Sequence, residues 1–328
     1  MKLLRALITS TALCAAVTHA AAQTCEQPGP VSERGQHLAQ LALAEYAQFN
    51  GHRIDAQGRL WKFGSVETET ENLVDGQPDD RYAWRRVWRY WQTLDTHSPG
   101  TLDMRRITWA PGLLDDPATA ERSRFTELRE FLDTMPKNVD AKMDEILRES
   151  FVRATVSDTP WSAAFISYLM DRAGLSAEEF SYSGAHAVYI RPALEGREGY
   201  AYRACDVRRT VPRMGDLICY GRAAKPLKSF ADWKEQMGAL DHRVKSHCDL
   251  VVKVDRGAAK METMGGNVEQ SVTWRKLMLD GRGVLSSRHL AALHPKPTGP
   301  NAAACASDPS CQKSDLNLQY WGVLLQLR

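Results

Sequence analysis

With 328 residues, 43% of them hydrophobic, the chain is long enough for one large domain or two smaller ones around a substantial apolar core. Forty-two basic residues stand against 40 acidic ones. That near-neutral balance gives no reason to expect nucleic acid as a partner.

The N-terminus has the form of an export signal. Lys2 and Arg5 precede a mostly apolar stretch, Ala6 to Val17, too short to span a bilayer comfortably. Ala20, Ala21 and Ala22 offer small-residue cleavage sites, so residues 1–22 are predicted to be removed on export to the periplasm or the exterior. Thr11-Ala12-Leu13 before Cys14 makes a poor lipid-attachment site, and no later segment is apolar enough for stable membrane insertion. Beyond Cys14, six cysteines remain: Cys25, Cys205, Cys219, Cys248, Cys305 and Cys311. In an oxidising compartment some will pair. Cys305 and Cys311 flank a short loop and are the first expected bridge; Cys205 with Cys219 is the second. No Cys-x-x-Cys or His-x-x-x-His spacing points to zinc, and no cofactor is implied.

Residues 23–37 read as a flexible lead-in, and Leu38, Leu41, Leu43 and Tyr46 predict a helix over 36–49. Asn50-Gly51 and Gln57-Gly58 then punctuate short strands around Ile54 and Leu60 to Val66. Glu67, Glu69 and Glu71 alternate as on a solvated strand face. In Arg81 to Gln92, Trp84, Trp88 and Trp91 share one helical face, which predicts an amphipathic helix packed through its tryptophans. Residues 121–149 look helical, with a break at Pro136. The region 38–150 is thus mainly helical, either separate from or integral to a core over 151–328.

In that core a helix is expected around Ser162, with Thr159 as its cap and Pro160 in its first position. Val188 to Ile190, Asp216 to Tyr220, Leu250 to Val254 and Met261 to Met264 are strand-like, and Tyr320 to Leu327 reads as a closing strand. Phe230 to Leu240 reads as a helical insertion, a flap over a groove, and 286–316 as a long loop. Helices first, then a mostly antiparallel sheet, make an α+β fold.

Ser162 in a first helical turn meets unpaired backbone N–H groups and the positive end of the helix dipole, which favour developing negative charge. His247, at the start of a strand, is a candidate general base, and Asn267 after the next strand a candidate group to orient it. His186 follows the Ser162 helix closely and is a candidate for the same groove, with a satisfied structural histidine as the plainer reading. Trp161 and Asp216, in the neighbouring motifs, join His186 as candidates for contacting substrate. Cys248 is adjacent to His247, so on a strand it should face the other way.

The order Trp161-Ser162-Ala163-Ala164-Phe165, then Pro212-x-x-Gly215-Asp216-Leu217, then His247-Cys248-Asp249-Leu250-Val251-Val252, then Gly265-Gly266-Asn267 resembles the bacterial family DUF2272. It is also similar to the NlpC/P60 and CHAP cell-wall hydrolases, whose motif is Trp-Cys-Ala-x-Phe. The first resemblance spans roughly 40–328, the second about 150–270. They imply a papain-like core that cuts an amide bond in peptidoglycan or a related peptide, with Ser162 as nucleophile, His247 as base and Asn267 as orienter. Serine stands here for cysteine, and Gly215 and His247 lie far apart. The alternative is a non-catalytic module of the same fold that recognises wall peptides or a protein partner.

Overall fold

The computed structural model describes residues 25, 29–67, 82–102, 106–108, 122–124, 130, 133–134, 140–157, 159–222, 226–294 and 315–328. The export signal, the Cys305–Cys311 pairing, Glu69, Glu71 and Pro136 lie outside them.

Helix α1 (Glu33–Gln48) begins where the Ser32 hydroxyl accepts from the Gly35 N–H at 3.1 Å. It starts inside the expected lead-in because Ser32 and Glu33 supply a cap and a first-turn acid. Leu38, Ala42 and Tyr46 form its buried stripe. Asn50 and Gly51, at φ 56° and 80°, turn the chain into β1 (His52–Ile54), which pairs with β2 (Leu60–Lys62). Helix α2 (Ala83–His97) is the tryptophan helix: Trp84, Val87, Trp91 and Leu94 are buried and Trp88 packs half-buried beside them. Strands β3 (Arg106–Thr108) and β4 (Arg122–Arg124) pair with each other. The expected helix over 121–149 therefore gives way to a strand at its start; helix α3 runs over Ala141–Ser157.

Helix α4 (Ser162–Arg172) is buried along nine consecutive residues, Ser162 to Met170. Its cap position is Trp161, not Thr159, whose hydroxyl turns back to the Thr155 carbonyl at the end of α3. Helix α5 (His186–Glu195) takes in Val188 to Ile190, read above as strand; a three-residue apolar run fits either period. There follow β5 (Tyr202–Asp206), β6 (Leu217–Gly221), α6 (Phe230–Glu235), β7 (Ser246–Asp255), β8 (Lys260–Val268), β9 (Ser271–Met278) and β10 (Tyr320–Leu327). Among the described residues no helix is long and apolar enough to cross a membrane.

Eight strands form one open sheet in the order β2-β1-β9-β8-β7-β6-β10-β5. The β1–β9 contact is parallel and the other pairs are antiparallel, so the sheet is mixed and the fold α+β. Both faces are covered, as period-two alternation shows. On β7, Cys248, Leu250 and Val252 enter the core beneath α1, α2 and α4, while Val251 joins Ile218, Met261, Leu277 and Leu324 on the opposite face. Gly215, at φ 92°, meets α1 through Gly35, whose Cα would lie 2.5 Å from any Cβ added to Gly215.

The disulfides are Cys25–Cys205 and Cys219–Cys248. The expected Cys205–Cys219 bridge is therefore corrected. Cys219 lies directly opposite Cys248 in the β6–β7 register, whereas Cys205 sits on β5, beyond β10, and takes the segment before α1.

Candidate functional site

The first turn of α4 and the start of α5 meet at a cleft of about 510 Å³ lined by Ser162, His186, Arg222 and Lys245 among others. Ser162 is the first residue of α4, so its backbone N–H and the next two point out of the helix unpaired by its ladder. The Ser162 Oγ lies 2.7 Å from His186 Nε2. On the other side of that ring, Nδ1 contacts the Tyr189 hydroxyl, three residues along α5. With its proton on Nδ1, His186 donates to Tyr189 and offers its Nε2 lone pair to the serine hydroxyl.

Burial, and after it the neighbouring His247, pushes the His186 pKa well below its ordinary value of 6.5. The ring is thus a neutral acceptor across the usual pH range. Burial likewise raises the Tyr189 hydroxyl well above 10.0, so Tyr189 remains a phenol.

His247 does not bond Ser162. Its ring lies 5.1 Å from that of His186, centroid to centroid, and its Nε2 donates to Asp249 Oδ1 at 2.8 Å. Residues i and i+2 of a strand share a face, so β7 itself aligns this pair. Asp249 Oδ2 accepts from the Thr263 hydroxyl at 2.9 Å and from Arg275 Nε at 3.0 Å. Burial pushes the Asp249 carboxyl up, but Arg275, His247 and Thr263 together hold it at about 2. The carboxylate is ionised and accepts only, so His247 carries its proton on Nε2. Its bare Nδ1 is buried and bonds no described residue. Burial outweighs Asp249 and lowers the His247 pKa too. Gly265 is required beside this pair: a Cβ there would fall 2.1 Å from Asp249 Oδ1.

The other expected site residues lie elsewhere. Asn267 takes a left-handed φ of 53° at the irregular end of β8 and lines a separate cleft of about 150 Å³ with Tyr220, Glu269 and Arg275. Asp249, not Asn267, is the group on His247. Trp161 is fully buried, its indole N–H donating to the buried Glu67, with Phe49 and Tyr90 against its ring. Glu67 is accordingly a core carboxylate rather than part of a solvated face. Asp216 is also fully buried; it accepts from the Arg213 N–H at 2.7 Å and the Leu327 N–H at 2.9 Å, tying the turn before β6 to β10. Neither Trp161 nor Asp216 is among the cleft-lining residues. Cys248 points into the helical core and is bonded to Cys219.

Asp249 carried a signal in the sequence, its His-x-Asp spacing from a strand-start histidine. Tyr189 and Arg275 carried none beyond their types. Among the described residues no group of three or more His, Cys, Asp or Glu side chains is placed to hold a metal ion. No curated protein and no solved structure matches the chain. A family model described as an uncharacterized protein conserved in bacteria (DUF2272) matches residues 133–327, from before α3 to the last residue of β10, and the chain belongs to that family.

Proposed function

We propose that the chain is an exported hydrolase of papain-like type that cuts an amide bond in a bacterial wall peptide, with Ser162 as nucleophile and His186, rather than His247, as base. The observation that carries this reading is the 2.7 Å contact between Ser162 Oγ and His186 Nε2 at the wall of an open cleft. A hydroxyl is far harder to ionise than a thiol, so serine needs an imidazole to take its proton during attack. Nε2 accepts that proton as Oγ bonds the carbonyl carbon, and the oxyanion faces the free N–H groups of the first turn of α4. The imidazolium then protonates the leaving amine, and water releases the acyl group by the reverse sequence. Asp249, behind His247, favours the charged form of His186 through space and so assists the step. Two disulfides and the basic-apolar-small pattern of residues 1–22 support export.

The test is a digest of purified peptidoglycan by the mature protein, with released fragments read by mass spectrometry. Ser162→Ala and His186→Gln are each expected to lower the rate by roughly a thousandfold or more while the fold is kept. Silence from the native protein and from Ser162→Cys alike would sink the reading.

One observation favours a second function. The far nitrogen of His186 meets a neutral phenol, Tyr189, where serine hydrolases place a carboxylate. A non-catalytic module that recognises wall peptides or a protein partner in the same cleft needs no such group. It would retain wall fragments intact, and Ser162→Ala would retain them equally well.

A further inference from the structure

The cleft carries charge that the reactive pair does not use. Arg222 follows the last residue of β6, Lys245 precedes the first of β7, and the Arg222 N–H donates to the Lys245 carbonyl at 2.9 Å. Gly221 stands opposite Ser246, so Arg222 and Lys245 continue the register as a directly opposed pair. Side chains at such positions leave the ladder on the same side, and like charges there repel. A carboxylate at either position would have turned the repulsion into an ion pair. Instead both cations are exposed, and neither makes an ion pair with a described residue. No carboxylate is among the described residues lining this cleft, and Asp241 next to it is taken by Arg243 at 2.6 Å. Arg222 also borders the smaller cleft that holds Glu269, without pairing to it.

Alternation also relates the doublet to the histidines. Arg222 lies two residues from Tyr220, and Lys245 two from His247, whose ring adjoins His186. Burial is the main force against protonating both rings, and the Arg222 charge adds to it. Left uncompensated, that charge would disfavour the imidazolium that hydrolysis requires. A bound anion cancels the charge's share of the opposition, relieves the repulsion between Arg222 and Lys245, and does so only when substrate is present.

We infer that Arg222 and Lys245 form a carboxylate-binding subsite, and that the substrate is an anionic peptide with a free carboxylate beside the scissile amide. The inference rests on Ser162 and His186 being the reactive pair, and its test separates the two. Two matched wall peptides are compared, one with that carboxylate free and one with it converted to a primary amide of the same shape. The native protein is expected to show a kcat/KM roughly 10- to 100-fold lower on the amidated peptide, the range of a charge-assisted hydrogen bond. In Arg222→Gln/Lys245→Gln the ratio between the two peptides closes toward one. Equal cleavage of both by the native protein overturns the subsite and leaves the hydrolase standing. Should neither be cleaved, the dissociation constants of the two peptides on Ser162→Ala decide. A preference for the free carboxylate upholds the subsite without the hydrolase, and equal binding overturns it. Tighter binding of a phosphorylated analogue than of the carboxylated one also overturns it. Melting of Arg222→Gln and Lys245→Gln guards against a folding artefact. Relieved repulsion leaves the melting temperature unchanged or raised, and a fall marks the doublet as structural and overturns the assignment.

Discussion

Two buried polar networks sit on either side of helix α4, and they are finished differently. On its α1–α2 side, Glu45 takes two bonds from the Arg86 guanidinium and one from the Tyr90 hydroxyl at 2.5 Å, while Arg86 also reaches the Tyr168 hydroxyl at 3.4 Å. Both carboxylate oxygens are used, and the three helices are tied together without reaching the cleft. At the first turn of α4 the second network runs from Ser162 to His186, across to His247, and through Asp249 to Arg275. It ends at one extreme in a cleft and leaves the His247 Nδ1 buried without a described partner. A closed network specifies packing, whereas an open one keeps a proton acceptor beside a cavity.

Removing the carboxylate of one network and a donor to the carboxylate of the other tests that contrast. Asp249→Ala leaves the Arg275 charge buried and His247 without its acceptor, so it is expected to cost about 3–5 kcal/mol in urea unfolding. It should also lower kcat/KM on wall peptides, because His186 loses both its neighbour's orientation and the carboxylate's field. Lost stability with full activity would make this network as purely structural as the other. Tyr90→Phe removes one of the donors to Glu45 while Arg86 remains, for an expected loss of about 1–2 kcal/mol. Its kcat/KM should match the native value; a drop greater than about tenfold would mean that α4 passes strain from one network to the other.

Much of the frame could be read before the structure. The helix at Ser162 declares itself by a largely apolar run after Pro160, β7 and β10 by β-branched and aromatic residues, and β8 by the short run Met261 to Met264 between turns. The site was only half legible, because its decisive contact joins residues 24 apart. That contact depends on α5 folding back over β5 and β7, and the apolar run Val188 to Ile190 does not distinguish helix from strand. Chain order suggested Asn267, but the left-handed bend after Gly266 carries it to another cleft. The Cys219–Cys248 pairing depends on strand register, and register is fixed by the packed faces of the whole sheet rather than by either cysteine's neighbours.

pH separates the two networks by the smallest effect, since the helical one contains no histidine. His186 and His247 are held neutral by burial, so they bind fewer protons in the folded chain than in the unfolded one. Stability therefore falls as pH drops through the unfolded value of 6.5 and levels off below the folded values. His52 and His289, each lowered to about 4 by burial, add to the same fall. His186→Gln should remove one histidine's share, about 0.7 kcal/mol between pH 7 and 6. Tyr90→Phe should instead lower the whole curve in parallel. The Asp249 contribution is distinct, present above 3.8 and lost only as pH falls toward about 2. An unchanged slope in His186→Gln would mean that this imidazole titrates alike folded and unfolded. Its ring would then be wet, and the neutral acceptor that the 2.7 Å contact to Ser162 requires would not be secured by burial.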